Sequence, residues 1–428
     1  MLDIALFRDN PETVRDDLRK RKDAEKLAWV DEIIRLDKEW KNLKMETDDL
    51  RHQRNKIALE IGKLKKEGKD ASEQIKEAAE IPKKIEKKEK IIQEKKEKIE
   101  YYLMRLPNIL HESVPVGEDE HDNVEIKKFG SPPEFDFEPK SHLDLLVELG
   151  LIDQERGAKT AGHGFSYLKG DLVKLDRAIM SYAIDFLSER GYIPIEPPFM
   201  MKRESYEGVT DLSDFENVMY KIENDNRYLI ATSEHPMAAM YKDEVILKDM
   251  LPIKLVGFSP CFRKEVGTHG KYTRGLYRMH QFNKIEQFIF SHPDRSWEYH
   301  KELQKNSEEL YDGLGLHFRV VSVCTGDMGT IAAKKYDTEM WMVDGAFREL
   351  GSNSNCTDYQ ARRLHIRYRK KEGKPPAGCV HTLNNTALAT SRTMIAIIEQ
   401  CQNEDGSITV PKILRKYTGF GKIEKEED

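Results

Sequence analysis

Apolar residues repeat every seven positions along the N-terminal quarter of the chain. One series falls seven residues apart and consists of Leu36, Leu43, Leu50, Ile57 and Leu64. After a polar break at 68–72 a second series follows, made up of Ala78, Ile85, Ile92, Ile99 and Leu106. Two heptad runs that flank one short break predict an antiparallel helical hairpin over about 30–106. An arm of about 32 residues would reach roughly 48 Å.

Two questions about this hairpin stay open in the sequence. Pro82 lies near the start of the second run, where a proline either kinks a helix or opens it. The same heptads would also suit an intermolecular coiled coil, although a repeat that is interrupted by a turn and then resumed favours pairing within one chain.

Beyond residue 107 the pattern changes. Five prolines between 107 and 139 predict a linker at 111–140. Alternating polar and apolar runs then predict strands at 228–232, 254–259, 277–288, 318–323, 339–343 and 347–352. The long apolar stretch 383–401 predicts a buried helix. Together these elements predict an α+β fold with a mostly antiparallel sheet flanked by helices.

Charge changes this picture in one respect. The chain has 70 Lys and Arg against 76 Asp and Glu, and this net charge of -6 by itself argues against a nucleic-acid partner. Residues 26–106 alone carry 22 basic and 18 acidic side chains, so the arm has a net charge of +4 and the remainder -10. The basic excess therefore lies on the arm, where it suits either a polyanion or simple solvation.

Composition also bears on where the protein acts. No apolar run of about 18 residues is present, so we expect no membrane-spanning segment and no membrane partner. The N-terminus lacks the apolar core of a secretory signal. The five cysteines include no Cys-x-x-Cys pair, which is typical of reduced thiols. These patterns predict a cytoplasmic protein.

The common phosphate-loop, dinucleotide and hydrolase motifs are absent from the sequence, and polar density within strands stands out instead. Alternate residues of a strand share a face, so a strand over 277–288 would align Arg278, His280, Phe282, Lys284 and Glu286. A ring to stack and cations for phosphates suit an adenine nucleotide. The plainer alternative is an exposed sheet face with ordinary cross-strand ion pairs.

Three segments resemble the signature motifs of the class II aminoacyl-tRNA synthetases. Residues 189–198 resemble motif 1, residues 261–286 with Phe262-Arg263-Lys264-Glu265 resemble motif 2, and residues 383–394 with Arg392 resemble motif 3. Further strings are similar to the seryl-tRNA synthetase family of the non-zinc type, namely Thr232-Ser233-Glu234, Met279-His280-Gln281-Phe282, Cys324-Thr325-Gly326-Asp327-Met328-Gly329 and Gln360-Ala361-Arg362-Arg363. The resemblance covers nearly the whole chain in the expected order.

The resemblance implies which side chains act. Arg263 and Arg392 would be catalytic, with Arg263 on the α-phosphate of ATP and Arg392 on the adenine and the γ-phosphate. Glu265 would read the adenine amino group, and Phe282 would stack on the ring. The other ATP contacts would be Lys264, Glu349, Leu350, Gly351 and Ser352, of which Glu349 and Ser352 would hold Mg²⁺. The serine-binding residues would be Thr232, Ser233, Glu234, Arg263, Glu286 and Thr386.

The resemblance also implies a reaction and partners. Such a protein would activate L-serine with ATP to seryl-adenylate and pyrophosphate and then transfer serine to the 3′ end of tRNA(Ser), with tRNA(Sec) left open. The N-terminal domain, 1–110, would hold the tRNA through its arm. The catalytic domain, 141–428, would form a homodimer through motif 1. We expect no zinc, because the motif cysteines are dispersed.

Two other functions compete with this one. The first is a synthetase-like activator that loads an amino acid onto a carrier protein, and the long arm counts against it. The second is a catalytically dead coiled-coil scaffold for nucleic acid, and the complete set of charged motif residues counts against it. One departure concerns motif 3, where Asn385 stands in place of the glycine of many family members.

Overall fold

The computed structural model of the chain describes residues 1–265 and 275–425, apart from the side chains of Ser213 and Asp214. Residues 266–274 of the motif 2 segment, which include Gly267 and Gly270, lie outside the described residues. The chain divides into two compact units, Met1–Ile109 and a second unit that begins at Leu110.

The first unit is helical. Its helices are α1 (Ile4–Asp9), α2 (Pro11–Lys20), α3 (Ala24–Lys66) and α4 (Ser72–Arg105). α3 and α4 pack side by side and are joined by a short turn, which confirms the predicted hairpin. α3 alone has 43 residues, so it extends for about 65 Å at the usual helical rise.

The seam between α3 and α4 is narrow and apolar. Ile57 of α3 packs with Ile81 and Ile85 of α4. Ion pairs beside the seam join the two helices, namely Arg51–Glu89 at 2.7 Å, Lys98–Glu32 at 2.9 Å, Lys88–Glu46 and Lys95–Glu39. Exposed ion pairs contribute little individually, so the buried isoleucines carry most of the stability of the hairpin.

Two irregular positions fit within these helices. Thr47 is a polar residue of α3 that is only 1% exposed, and its hydroxyl donates to the carbonyl oxygen of Leu43 at 2.7 Å. This hydroxyl is therefore satisfied inside α3. Pro82 lies inside α4, which begins at Ser72, so the proline does not open the helix.

The second unit contains an eight-stranded sheet, three smaller two-stranded sheets and one three-stranded sheet. Its strands are β1 (Val124–Phe129), β2 (Ile152–Asp153), β3 (Tyr167–Leu168), β4 (Ile193–Ile195), β5 (Met200–Lys202), β6 (Arg227–Leu229), β7 (Val245–Leu247), β8 (Ile253–Phe262), β9 (Gln281–Ser291), β10 (Phe318–Ser322), β11 (Lys334–Trp341), β12 (Phe347–Asn355), β13 (Arg367–Arg369), β14 (Gly378–Cys379), β15 (His381–Ala389), β16 (Ile408–Thr409) and β17 (Lys422–Ile423). Its helices are α5 (His142–Glu148), α6 (Gln154–Ala161), α7 (Asp171–Ser188), α8 (Arg203–Val209), α9 (Leu212–Phe215), α10 (Glu234–Ala239), α11 (Ser296–Gly313), α12 (Tyr359–Arg363), α13 (Thr390–Gln400) and α14 (Arg415–Thr418). Among the described helices, none combines the length and apolarity needed to cross a membrane.

The strand order of the large sheet is β1-β10-β11-β12-β15-β9-β8-β4. Within the described residues its neighbouring strands run antiparallel, except that β4 and β8 are parallel. Helices α7, α11 and α13 share one hydrophobic core with the sheet. A second core around Tyr206, Tyr228 and Phe288 lies on the opposite face, since Phe288 and Ile289 alternate between the two cores. The α+β prediction is confirmed.

Two central strands each carry one residue more than the neighbouring strand can pair. The extra residue is Leu350 in β12, opposite β11, and Ala387 in β15, opposite β9. A bulge of this kind moves the side chains beyond it to the other face of the strand.

Two sequence predictions are wrong in part. The stretch 383–401, predicted as one helix, belongs to β15 as far as Ala389 and only then to α13. A strand buried on both faces shows no alternation, so its sequence resembles that of a buried helix. The strand predicted over 277–288 begins only at Gln281, so Arg278 and His280 precede it. Within the segment predicted as a linker, β1 pairs with β10.

We expect Ile85→Ala to destabilise the hairpin by about 2–4 kcal/mol, because it removes a buried side chain and leaves a cavity in the seam. Ile85 is 7% exposed, whereas Ile91 on the same helix is 41% exposed and provides a matched control. Ile91→Ala should change the free energy of unfolding by less than about 0.5 kcal/mol. Hydrogen exchange of the α4 amides measures both effects. Equal losses of protection in the two variants would contradict the packing of Ile85 in the seam between α3 and α4.

Candidate functional site

A cavity of about 480 Å³ opens on the sheet where β11, β12, β15 and β9 lie side by side. Eleven of the fourteen site residues predicted from the sequence line it, namely Thr232, Glu234, Arg263, Glu265, Phe282, Glu349, Leu350, Gly351, Ser352, Thr386 and Arg392. The structure therefore brings the segments of motif 2 and motif 3 and the segment 349–352 to one place.

Three predicted residues do not line the cavity. Ser233 is buried at the start of α10, and its hydroxyl donates to the carbonyl oxygen of Gly257 at 3.4 Å. The backbone N–H of Lys264 donates to Val218 at 2.8 Å. Glu286 is 1% exposed and pairs with Lys284, which does line the cavity.

One end of the cavity holds a fixed carboxylate. Oε1 of Glu234 accepts hydrogen bonds from the side-chain amides of Gln360 at 3.2 Å and Asn384 at 3.1 Å. Burial raises the pKa of Glu234, and the positive charges of Lys284 and Arg263 oppose this shift. The two amides hold the carboxyl group in one orientation, where it can accept further hydrogen bonds from a small polar ligand.

A buried ion pair lies beside this carboxylate. Nζ of Lys284 lies 2.5 Å from Oε2 of Glu286 and donates to the hydroxyl of Thr232 at 3.1 Å. Burial raises the pKa of Glu286 to about 7, although Lys284 lowers it in part and the charge of Glu234 raises it further. Among the described residues, Oε1 of Glu286 has no hydrogen-bond partner. This end of the cavity is therefore lined by the carboxyl group of Glu234 and by a cation, Lys284, whose own partner is the buried carboxyl group of Glu286.

The other end of the cavity pairs cations with aromatic rings. The guanidinium carbon of Arg263 lies 5.4 Å from the ring centroid of Phe282. That of Arg392 lies 5.0 Å from the ring centroid of Tyr277, and its Nη1 donates to the carbonyl oxygen of Glu349 at 2.5 Å. Two flat cations and two rings suit a ligand with a planar base and negative charges.

Glu265 stands at the edge of the described part of motif 2. Its Oε2 accepts a hydrogen bond from Nη1 of Arg278 at 3.1 Å. Its φ of 48° lies in the left-handed region, which is unfavourable for a residue with a side chain. Arg278 therefore supports Glu265 and does not continue the polar face of β9, as the sequence had predicted.

Glu349 and Ser352 present two oxygens to the cavity from one face of β12. The hydroxyl of Ser352 donates to Oε1 of Glu349 at 3.3 Å. The extra residue Leu350 makes this possible, because residues three apart in a regular strand face opposite sides. The side chain of Glu349 is 48% exposed, and the positive charges of Arg392 and Lys335 lower its pKa. The described residues contain no group of three or more His, Cys, Asp or Glu placed to hold a metal ion.

Strands β12 and β15 come close together at the same point. A Cβ atom at Gly351 would lie 2.4 Å from Cβ of Thr386, so only glycine fits there. Asn385 replaces a glycine of many family members without such strain, since its φ is not positive. Its side chain turns to the other face of β15, where Nδ2 donates to the carbonyl oxygen of Leu303 at 2.7 Å.

Sequence reasoning assigned no site role to several side chains that line the cavity, namely Tyr277, Lys335, Cys356 and Asn384, and it placed Lys284 only on the strand face shared with Phe282 and Glu286. Lys284 had a signal, because it alternates with Phe282 and Glu286 in β9. Lys335 had none, since only the order of the strands brings β11 to the cavity. Burial raises the pKa of the Cys356 thiol well above its usual range, so this group is protonated.

Comparison with known proteins identifies the family. Residues 218–401 match the model of the tRNA synthetase class II core domain (G, H, P, S and T), and residues 1–110 match that of the seryl-tRNA synthetase N-terminal domain. The serine--tRNA ligase of Methanospirillum hungatei is 55% identical over 418 residues, which are 97% of this chain and 98% of that protein. The chain belongs to the seryl-tRNA synthetase family.

Solved structures of the seryl-tRNA synthetase family share the fold. The crystal structure of seryl-tRNA synthetase from Pyrococcus horikoshii complexed with ATP is 49% identical, covers 100% of both chains and has a TM-score of 0.96. That of the cytoplasmic serine-tRNA ligase from Naegleria fowleri in complex with AMP is 35% identical, covers 100% of this chain and 99% of that one, and has a TM-score of 0.90. The resemblance seen in the sequence is confirmed, together with the class II fold.

The raised pKa of Glu286 predicts how stability depends on pH. Its carboxyl keeps a proton up to about pH 7 in the folded chain, whereas an unfolded glutamate loses it near 4.5. Between these values the wild type should lose stability relative to Glu286→Gln as the pH rises. Chemical denaturation of both proteins across this range measures the difference.

Glu298→Gln is the matched control for this experiment. Glu298 is exposed, and its hydrogen bond with Arg295 lowers its pKa. The sign is therefore opposite, and the wild type should gain stability slightly over this variant as the pH rises. Parallel curves for wild type and Glu286→Gln would contradict the raised pKa.

Proposed function

We propose that this chain acts as a serine–tRNA ligase, which activates L-serine with ATP and then attaches it to tRNA(Ser). The observation that carries the proposal is the 55% identity to a serine--tRNA ligase over 97% of the chain. The cavity supports it, since Arg263, Phe282 and Arg392 line one end and the fixed carboxyl group of Glu234 lies at the other.

The first reaction depends on alignment more than on acid–base catalysis. The carboxylate of serine attacks the α-phosphorus of ATP, and the bond from that phosphorus to the bridging oxygen breaks. Pyrophosphate leaves with the electron pair of that bond. The attacking carboxylate is already ionised at neutral pH, so no general base is needed. The protein must therefore hold the two substrates in line and offset negative charge.

The arginines at the nucleotide end supply that positive charge. The planar fork of Arg263 can bind an oxygen of the α-phosphate together with the serine carboxylate. Phe282 stacks on the adenine, and Arg392 covers its other face and reaches the γ-phosphate. Glu265, held by Arg278, accepts a hydrogen bond from the adenine amino group. Lys264, Leu350 and Gly351 complete the nucleotide contacts.

Glu349 and Ser352 are the residues that would hold Mg²⁺. Both offer hard oxygens on one face of β12, and the pKa of the Glu349 carboxyl is lowered, which suits a cation ligand. Oxygens of the nucleotide phosphates would fill the remaining positions around the ion. Bound there, Mg²⁺ neutralises charge on the phosphates.

The carboxylate end of the cavity suits the ammonium and hydroxyl groups of serine. Thr232, Glu234, Glu286 and Thr386 supply the polar atoms, and Ser233 supports them from the start of α10. A site that hydrogen-bonds a hydroxyl rejects alanine, because its buried partner would be left unpaired. Threonine differs by one methyl, which hydrophobic binding discriminates by only about 1–3 kcal/mol. Steric closure must therefore contribute.

We propose that the N-terminal arm holds tRNA(Ser). Helices α3 and α4 together carry 21 basic and 17 acidic side chains, a net charge of +4. Lys83, Lys84 and Lys87 are exposed along one stretch of α4. Such a surface binds phosphates, so the arm would match the shape and backbone of the tRNA more than its bases.

A homodimer in the cytoplasm completes the proposal. The motif 1 segment contains β4, which is an edge strand of the large sheet, and Ile193 in it is 57% exposed. An exposed apolar edge supports a partner subunit at this position. Within the described residues the five cysteines form no disulfide, which suits a reducing compartment.

The two competing functions are less well supported. The match at residues 1–110 includes the arm that a carrier-protein loader would lack. The charged residues that line the cavity argue against an inactive scaffold. Serine-dependent exchange of pyrophosphate into ATP separates the scaffold from the two enzymes, and charging of purified tRNA(Ser) separates the ligase from the carrier-protein loader.

We expect Arg263→Ala to slow serine-dependent ATP–pyrophosphate exchange by about 100-fold or more, because it removes charge from the reacting phosphate. The control is Arg227→Ala, since Arg227 is 52% exposed and pairs with Asp225 at the surface. Thermal unfolding verifies that both variants are folded. Exchange at near the wild-type rate in folded Arg263→Ala would contradict the assignment.

Replacing residues 36–103 by a short linker should spare amino-acid activation and impair tRNA charging. Without the arm, the KM for tRNA(Ser) should rise by about 100-fold, because most phosphate contacts are lost. Exchange and charging assays on the same preparation measure the two effects. Efficient charging at low tRNA concentration would show that the arm does not hold the tRNA.

A further inference from the structure

Three buried amide side chains lie in a row behind the carboxylate end of the cavity. Asn353 of β12, Asn385 of β15 and Gln287 of β9 are direct partners across three adjacent strands. They are 1%, 1% and 0% exposed. Each makes hydrogen bonds to α11. We call these three residues the amide row.

Two members of the amide row share the same pair of acceptors on α11. Nδ2 of Asn385 donates to the carbonyl oxygen of Leu303 at 2.7 Å and to the hydroxyl of Ser307 at 2.9 Å. Nε2 of Gln287 donates to the same two oxygens at 3.3 Å and 3.2 Å. Asn353 donates to the carbonyl oxygen of His300, one turn earlier, at 2.9 Å.

Ser307 connects this network to a residue of the cavity. Its hydroxyl accepts from both amides, and it donates its single proton to the carbonyl oxygen of Thr386 at 3.1 Å. One donor and two acceptor positions are therefore all in use. These hydrogen bonds fix the orientation of the two side-chain amides. If the amide of Asn385 were flipped, its Oδ1 would face the carbonyl oxygen of Leu303.

The amide row alternates with residues at the carboxylate end of the cavity. Asn385 lies between Asn384 and Thr386, and Gln287 follows Glu286 in β9. Successive side chains of a strand point to opposite faces, so the backbone that carries the amide row also carries the polar groups of the cavity. Thr386 and Glu286 are themselves partners across β15 and β9. A shift of this pair relative to α11 would change the width of the site.

Packing alone does not explain polar side chains at these positions. Apolar side chains would bury the same surface without any need for hydrogen-bond partners. A buried polar side chain needs them, because each polar group left unpaired costs about 1–3 kcal/mol. Hydrogen bonds add direction, because they set the position of a strand along a helix. Apolar contacts tolerate sliding more easily. The amide row is therefore suited to fixing the position of β15 and β9 on α11.

We propose that the amide row and Ser307 are positioning residues for the amino-acid site. They hold the backbone of Thr386 and Glu286 at the spacing that admits serine and excludes the larger threonine. This inference rests on the proposed function, serine activation. It assigns a role to Asn385, the residue at which this chain departs from many members of its family.

The test compares Ser307→Ala and Asn385→Leu with the wild type in ATP–pyrophosphate exchange. We expect the KM for serine to rise about tenfold in both, because a small displacement of a binding group has a large effect. The KM for ATP should stay within about twofold, since Phe282 and Arg392 are untouched. The preference for serine over threonine should fall as well. Ser307→Thr keeps the hydroxyl and should restore wild-type values.

Tyr182→Phe provides the matched control. The hydroxyl of Tyr182 donates to the carbonyl oxygen of Leu310 on the same helix α11 at 3.2 Å, and Tyr182 is 4% exposed. It lies on α7, outside the amide row. Its loss should lower the midpoint of thermal unfolding by a similar amount and leave the KM for serine unchanged.

The outcomes separate this inference from the proposed function. Absence of exchange in the wild type would overturn the function, and this inference with it. An active wild type whose Ser307→Ala and Asn385→Leu variants lose only thermal stability would overturn the inference alone. If these variants do not fold, Asn385→Gly keeps the Gln287 bonds and provides the same comparison. An unchanged KM for serine and unchanged preference over threonine in that variant would likewise overturn the inference.

Discussion

The second unit depends on strands that are buried on both faces and that carry polar side chains on each face. In β9, Lys284 lines the cavity and pairs with the buried carboxyl group of Glu286, while Gln287 donates hydrogen bonds to α11. A buried polar group is unfavourable unless it is hydrogen-bonded, so each of these side chains must find a partner at a defined place. The hydrogen bonds made by the side chains on one face of the strand therefore also restrict the positions of the side chains on its other face. This constraint allows a sheet to act as a rigid support for small polar ligands.

The two ends of the cavity reach different electrostatic states by different means. At the carboxylate end burial prevails, so the pKa values of Glu234 and Glu286 are raised despite the nearby Lys284. At the other end, where Glu349 is about half exposed, the positive charges of Arg392 and Lys335 lower the pKa of its carboxyl group. The carboxyl groups at the two ends of one cavity thus have pKa values shifted in opposite directions.

The sequence reveals those features that are periodic or local. The heptads predicted the hairpin, because a narrow seam needs an apolar residue every seventh position. The family resemblance named eleven of the residues that line the cavity, among them Arg263, Glu265 and Phe282, which lie close together in one segment. The stretch 383–401 was misread because both faces of β15 are buried, which removes the alternation that identifies a strand. Lys335 and Tyr277 reach the cavity through strand order and loop path, which have no local signal.

The bulges at Leu350 in β12 and Ala387 in β15 determine which side chains of these two strands face the cavity. Beyond each bulge the inward and outward positions are exchanged, so Glu349 and Ser352 share a face, as do Thr386 and Ala389. Chain length at these points therefore matters more than side-chain identity. A deletion of one residue would turn Glu349 or Thr386 towards the hydrophobic core, whereas an exchange of Leu350 for another apolar residue keeps the phase. Insertions and deletions should consequently be rare in these strands, even where substitutions are tolerated.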